Sequence, residues 1–203
     1  MVSGLAPARL EAHSGERPEP VLPPGIEPDA DALEIWRALA TVADPELPML
    51  SILDLGIVRS VERQLDGDNA WQVTITPTYS GCPAIDAITE AIHAALASIG
   101  ARCRTRSILS PAWTTDWMSP GGRARLVQAG IAAPGSSPVG LVAAGSARVN
   151  ASALAGDARR RVVACPRCGS LRTTLLSQFG STACKALHRC DDCLEPFDEF
   201  KQH

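Results

Sequence analysis

The stretch Thr78-Tyr79-Ser80-Gly81-Cys82-Pro83-Ala84-Ile85-Asp86 decides how the first half of the chain is read. Before it, Trp71, Val73 and Ile75 alternate with polar residues over 71–76, the period of a strand. After it, Ile85, Ile88, Ile92, Leu96 and Ile99 recur at helical spacing, which predicts a helix from Pro83 to about Ile99. Gly81 permits a tight turn between the two, and Pro83 suits the first helical position, where a missing N–H leaves no bond unmade. Cys82 then falls at the N-cap. Free amides and the positive end of the helix dipole there favour a thiolate. A sulphur so placed can be a nucleophile, a metal or cluster ligand, or an ordinary buried thiol.

A length of 203 residues and a formal charge of −3 suit one domain, or one domain plus a small module. The modest charge argues against nucleic acid as a main partner. No apolar run reaches the roughly 18 residues of a membrane span, so no membrane association is expected. The start Met1-Val-Ser-Gly-Leu-Ala-Pro lacks the basic head and apolar centre of a signal peptide, which makes a cytoplasmic protein the expectation. In that compartment the seven cysteines are reduced, and paired CxxC motifs read as metal ligands rather than disulfides.

Outward from the opening stretch, residues 1–28 carry six prolines among scattered charges and read as a disordered leader. Aspartates at 29 and 31 can cap a helix bearing Leu33, Ile35, Trp36 and Leu39. Asp44-Pro-Glu-Leu-Pro48 is a forced turn. Ile57–Val61 reads as a strand paired with 71–77 across Asp66-Gly-Asp-Asn69. Cys103–Leu109 is a third strand, followed by the loop Ser110–Trp117 and a short helix over Gly121–Ala129. The expected fold for 29–129 is α+β, a small sheet with helices on one face. Residues 130–158, rich in Ala, Gly, Ser and Pro, read as a flexible linker.

Residues 159–203 form a second unit. Cys165-Pro-Arg-Cys168 and Cys190-Asp-Asp-Cys193 are two knuckles, each offering two sulphurs to one ion. Together they make a closed tetrahedral site, and with strands over 171–176 and 185–189 between them this is the pattern of a zinc ribbon. So small a unit cannot build an adequate core, and structural zinc is expected to fold it. Phe197 and Phe200 are placed to pack on the ribbon or on a partner.

Three further groups carry possible chemistry. Asp44, Glu46 and Asp54 lie on turns that could gather with Tyr79 as a polar mouth around Cys82, although carboxylates would raise its pKa. Local capping explains the same aspartates. Cys184 reads either as a buried packing residue or as a second reactive thiol or ligand. Glu90-x-x-His93 has di-iron spacing, but it stands alone and falls off the isoleucine stripe, so it reads as a solvated face. No serine–histidine–acid set and no phosphate loop is legible.

Asp44-Pro45-Glu46, Asp54-Leu55-Gly56-Ile57-Val58 and the Thr78-x-x-x-Cys82-Pro83 turn resemble the metal–sulphur cluster assembly domain of cytosolic iron–sulphur assembly factors. Ser110-Pro-Ala-Trp-Thr-Thr-Asp-Trp117, Cys165-Pro-Arg-Cys168-Gly-Ser170, Phe179-Gly-Ser-Thr-Ala-Cys184-Lys-Ala-Leu187 and the Glu195-Pro-Phe197 ending are similar to the PaaD/PaaJ family of the phenylacetyl-CoA oxygenase (epoxidase) system. The resemblance implies a place in aerobic phenylacetate catabolism, beside a di-iron oxygenase subunit and a flavin and iron–sulphur reductase as partners. It implies an accessory or maturation factor without turnover of its own. Cys82 and Cys184 would be the positions for transient iron or iron–sulphur cluster transfer, and Cys165, Cys168, Cys190 and Cys193 the zinc ligands. The alternative is a structural docking subunit with no metal-transfer role.

Overall fold

A computed structural model describes residues 18–64, 70–135 and 162–202. Helix α1 spans Ala30–Leu39, and the Asp29 carboxylate caps it by accepting the Ala32 N–H at 2.8 Å. Its buried stripe is Ile35, Trp36 and Leu39. Strand β1 (Val58–Arg63) runs antiparallel to β2 (Trp71–Ile75); the expected turn 66–69 between them lies outside the described residues. Helix α2 (Ala84–Ala97) then carries the chain back so that β3 (Cys103–Ser107) lies parallel to β2, as a helical crossover permits. The sheet order is β1-β2-β3. Trp71, Val73 and Ile75 on the sheet and Ile88, Ile92 and Leu96 on α2 are buried in one core cluster with α1. The α+β expectation holds, and Glu90 and His93 are solvated, with His93 Nε2 3.1 Å from the Thr105 hydroxyl.

Helix α3 (Pro120–Gln128) is capped by Ser119, whose hydroxyl accepts the Gly122 N–H at 2.8 Å. Gly56 sits at φ +68°, and a Cβ there would collide with the Trp117 carbonyl oxygen, so the close approach of these two loops requires glycine. Of the expected leader, residues 1–17 lie outside the described residues, while Leu22 and Ile26 pack against the core. Over 18–28 the chain has no helix or strand before α1's cap and turns at Gly25, where the Ile26 N–H donates to the Pro23 carbonyl at 3.2 Å.

The second sheet has the order β4-β5-β6, all antiparallel, with β4 Thr173–Ser177, β5 Lys185–Cys190 and β6 Pro196–Phe200. The sequence shows β6 only as packing residues. Its two faces bury against different things, so no single apolar alternation marks it. Phe197 joins a small ribbon cluster with Val163, Cys165 and Cys190, whereas Phe200 enters the α+β core.

Residues 130–135, expected as linker, help make that junction; 136–158 lie outside the described residues. The Ala132 N–H donates to the Asp198 carbonyl at 2.8 Å, and the Phe200 N–H donates to the Ala132 carbonyl at 2.9 Å. The Phe200 ring is 1% exposed and meets Trp113 edge-on, with centroids 6.0 Å apart. Trp113 is in turn fixed by its indole N–H, which donates to the Leu55 carbonyl at 2.9 Å.

Asp54 ties the loop before β1 to the start of α3. Its carboxylate accepts from the Ser51 N–H at 3.0 Å, the Ser51 hydroxyl at 2.8 Å and the Ser119 hydroxyl at 2.8 Å, and it pairs with Arg125. Burial alone would raise its pKa, yet these donors together hold it below the ordinary value. A depressed carboxylate stabilises the fold above its unfolded pKa, and that contribution disappears as the pH falls through the folded value. Asp54→Ala is therefore expected to cost about 2–3 kcal/mol in urea unfolding at neutral pH. The gap from wild type should narrow as the pH falls through the folded-state pKa, which lies below the ordinary carboxylate value. An unchanged midpoint at neutral pH would contradict this role.

Candidate functional site

The chain leaves β2 through Thr76 and Pro77, turns at Tyr79–Gly81, and enters α2. Pro83 is the N-cap of α2, so Cys82 stands one residue before it. The Cys82 N–H donates to the Tyr79 carbonyl at 3.2 Å, which closes the turn. The Cys82 sulphur receives the Ala84 N–H and the Thr78 hydroxyl, both of which favour a thiolate. They do not prevail. Burial pushes the thiol pKa up, and the charges of Glu46 and Asp44 push the same way. The expectation that helix capping favours a Cys82 thiolate is thus reversed, because two carboxylates and partial burial face the same sulphur.

Asp44 is buried, and one of its oxygens accepts the N–H groups of Glu46 and Leu47 at 2.8 Å each. Desolvation nevertheless raises its pKa, against those two bonds and the Lys185 charge. The ribbon supplies the opposite wall. Cys184, just before β5, is 5% exposed and has its sulphur 3.0 Å from the Thr182 hydroxyl. Burial raises its pKa. The Glu46 and Asp44 charges add to that, while the Thr182 hydroxyl and Lys185 oppose it. The Tyr79 phenol is likewise raised, by burial first and then by Cys82, Glu46 and Cys184.

Five of the residues marked in the sequence therefore share one neighbourhood: Asp44, Glu46, Tyr79 and Cys82 from the α+β half, and Cys184 from the ribbon. Asp54 does not belong to it. Its oxygens are taken by Ser51, Ser119 and Arg125, and it is not among the charges acting on Cys82, Cys184 or Tyr79. Two neighbours escape a reading of the sequence. Thr78 is in the turn motif, and Lys185 adjoins Cys184 in the chain; adjacency is the available signal, but only the fold shows which way they face. Elsewhere, Cys103 packs against the core and Trp113 anchors the loop 110–117. Trp117 is covered by the Arg59 guanidinium at 3.5 Å.

The other cysteine group is compact. The sulphurs of Cys165, Cys168, Cys190 and Cys193 all lie within 4.8 Å of one another, with Cys165–Cys193 at 3.8 Å and Cys168–Cys190 at 3.6 Å. Four thiolates at about 2.3 Å around a tetrahedral zinc stand about 3.8 Å apart, so the quartet fits that ion. The Cys193 N–H points at the Cys190 sulphur at 3.5 Å and, with the Asp192 N–H, helps hold that thiol down to about 6. Each knuckle closes through a left-handed residue, Gly169 at φ +73° and Leu194 at φ +65°. The group suits a structural metal; all four ligand positions are protein thiols, which leaves none for a substrate.

Residues 33–105 match the family described as "Iron-sulfur cluster assembly protein", and residues 150–201 match the "PaaD zinc beta ribbon domain". The chain is 47% identical over 169 residues to a protein of Escherichia coli (strain K12) named for the D component of 1,2-phenylacetyl-CoA epoxidase; the match covers 83% of this chain and 91% of that one. It is 36% identical over 88 residues to an Fe-S protein maturation auxiliary factor of Porphyromonas gingivalis, covering 42% of this chain and 81% of that one. A Bacillus subtilis factor of the same description is 37% identical over 87 residues, covering 42% and 82%. Among the described residues no helix is long and apolar enough to cross a membrane.

Metal analysis of the purified chain is expected to give one zinc, released on titration with a thiol-reactive mercurial. Protection of the β4–β6 amides from hydrogen exchange should be lost with it, since metal binding and folding are linked in so small a sheet. Retention of that protection after complete metal release would contradict a structural role.

Proposed function

The chain belongs to the PaaD family of phenylacetyl-CoA epoxidase components, and on that premise we propose that it is an accessory maturation factor which holds iron or an iron–sulphur cluster as cargo for the multicomponent epoxidase. One observation carries the proposal: Cys82 and Cys184, contributed by the two halves of the molecule, both lie within electrostatic reach of Asp44 and Glu46, and both act on the Tyr79 phenol. A resident cluster takes four protein ligands. Two thiols leave coordination positions open to an acceptor's ligands, which suits a site that loads and unloads.

In the empty state both thiols are kept protonated by burial and by the carboxylates. Cargo binding replaces the two thiol protons with bonds to iron and releases those protons to solvent. Hand-over is ligand exchange. The acceptor's thiolates or carboxylates bond to the iron, the Cys82 and Cys184 sulphurs regain protons, and no electron moves. Asp44, fixed by two backbone N–H bonds, keeps the rim rigid during exchange. The zinc at the quartet is scaffold. The similarity to Fe-S protein maturation auxiliary factors supports an accessory protein over an enzyme.

A second reading, docking without metal transfer, draws on the ribbon's other face. Leu171, Leu175 and Phe179 line a groove there and are exposed at 48–67%, a cluster of the kind that marks interaction surfaces.

The two readings part at Cys82→Ser. This substitution should leave zinc content and thermal unfolding unchanged and lower the activity of the co-expressed epoxidase by at least about tenfold, the usual cost of removing a ligand-supporting group. Epoxidase activity equal to wild type would overturn the maturation reading and leave docking.

A further inference from the structure

We infer that Thr182 is a positioning residue for the Cys184 sulphur, and that its hydroxyl serves that sulphur in both the empty and the loaded state by exchanging the roles of acceptor and donor. The inference rests on the maturation reading above and names the group that regulates its ribbon ligand.

The Thr182 hydroxyl lies 3.0 Å from the Cys184 sulphur, and either atom can be the donor. That hydroxyl makes no other hydrogen bond among the described residues. Cys184 is buried, which leaves little room for water to take the hydroxyl's place. The loop holding the two residues is pinned from several sides. The Gly180 N–H donates to the Lys185 carbonyl at 2.8 Å, and the Lys185 N–H donates to the Thr182 carbonyl at 3.1 Å. The Ser181 hydroxyl donates to the Asp198 carboxylate on β6 at 3.0 Å, and a Cβ at Gly180 would press on the same carboxylate. Just past β6, the Lys201 N–H donates to the Cys184 carbonyl at 2.9 Å. Threonine and cysteine therefore keep their spacing whatever the sulphur carries.

A cysteine that loads and unloads iron has two hydrogen-bonding identities. Empty, it is a thiol and can donate; loaded, it is a thiolate and only accepts. A hydroxyl has one donor and two acceptor lone pairs and turns about its C–O bond, so it suits both identities. An ammonium only donates and a carboxylate only accepts, so either would favour one state alone. In the empty site the Cys184 S–H donates to the Thr182 oxygen. On loading, that proton passes to solvent, the sulphur bonds to iron, and the Thr182 O–H turns to donate to the sulphur. At hand-over the sulphur–iron bond breaks, a solvent proton returns to the sulphur, and the hydroxyl turns back; no electron moves. Hydrogen bonds to ligating groups of this kind tune how firmly metal is held. Thr182 accordingly acts on the Cys184 thiol in the sense that favours the thiolate, against burial.

The test uses the full chain, handled without oxygen, and has two readings. Outside the zinc quartet only Cys82, Cys103 and Cys184 carry an S–H, so the difference between the Raman spectra of wild type and Cys184→Ser isolates the Cys184 S–H stretch. Donation to Thr182 weakens that bond, so the band should lie lower in wild type than in Thr182→Val, and Thr182→Ser should restore it. The same proteins are then loaded with ferrous ion and sulphide, and the iron retained against a chelator is followed, with zinc content as the check on folding. Thr182→Val should lose iron at least about tenfold faster than wild type, on the scale of ligand-supporting groups, and Thr182→Ser should restore retention. An S–H band in the same place in Thr182→Val and wild type, iron retention by Thr182→Val equal to wild type, or loss from Thr182→Ser as fast as from Thr182→Val overturns the inference while the maturation reading stands. Should Thr182→Val lower the zinc content, Thr182→Ala replaces it, and the same results decide. Retention by Cys184→Ser equal to wild type, or no uptake by wild type, overturns the role of Cys184 in the maturation reading and this inference with it.

Discussion

Everything at the candidate site depends on where Phe200 goes. Its ring ends the last ribbon strand and fills the core of the other half, edge-on to Trp113, while the adjoining backbone pairs with Ala132. Removing a buried phenylalanine ring typically costs about 3–5 kcal/mol, so this one side chain is a large share of what seats the ribbon. The strand beside it, β5, is held at both ends. Cys190 at its end belongs to the metal quartet, and Lys185 at its start is paired with Phe200. The cysteine quartet and the phenylalanine together anchor the strand, and Cys184 stands at its start.

This arrangement sets the chemistry. An isolated cysteine before a helix would gain acidity from the amides and the dipole. Cys82 does not, because it is partly withdrawn from water and the charges of Glu46 and Asp44 add to that. Burial first, and the two carboxylates with it, raise both thiols, which is consistent with the transient-cargo role proposed above. The closed quartet is the reverse case: four sulphurs at tetrahedral spacing and knuckle amides turned towards them.

Much of the fold is legible from periodicity alone. The isoleucine stripe of α2, the alternation of β2 and the aspartate cap of α1 each report a local rule that the tertiary structure obeys. The elements that periodicity misses obey two environments at once. β6 buries Phe197 on one side and Phe200 on the other, so no one-faced pattern marks it. Asp54 lies on a turn in the cluster-assembly motif, and nothing in the sequence distinguishes a residue that lines a site from one that binds Ser119 and Arg125. Cys82 and Cys184 lie far apart in the chain, and their shared neighbourhood follows from the docking of two sheets, which no local signal encodes. Lys185 escapes for the same reason: a strand lysine reads as solvated until its face is known to be covered.

The central claim is that ribbon docking brings Cys82 of the α+β half and Cys184 of the ribbon to one site. A short bis-maleimide applied to the native zinc-loaded chain, followed by peptide mapping, tests it directly. The expected result is a Cys82–Cys184 bridge in the wild type that is lost in Phe200→Ala while zinc is retained. Separate labelling of the two cysteines in the wild type, with no bridged peptide, would contradict it.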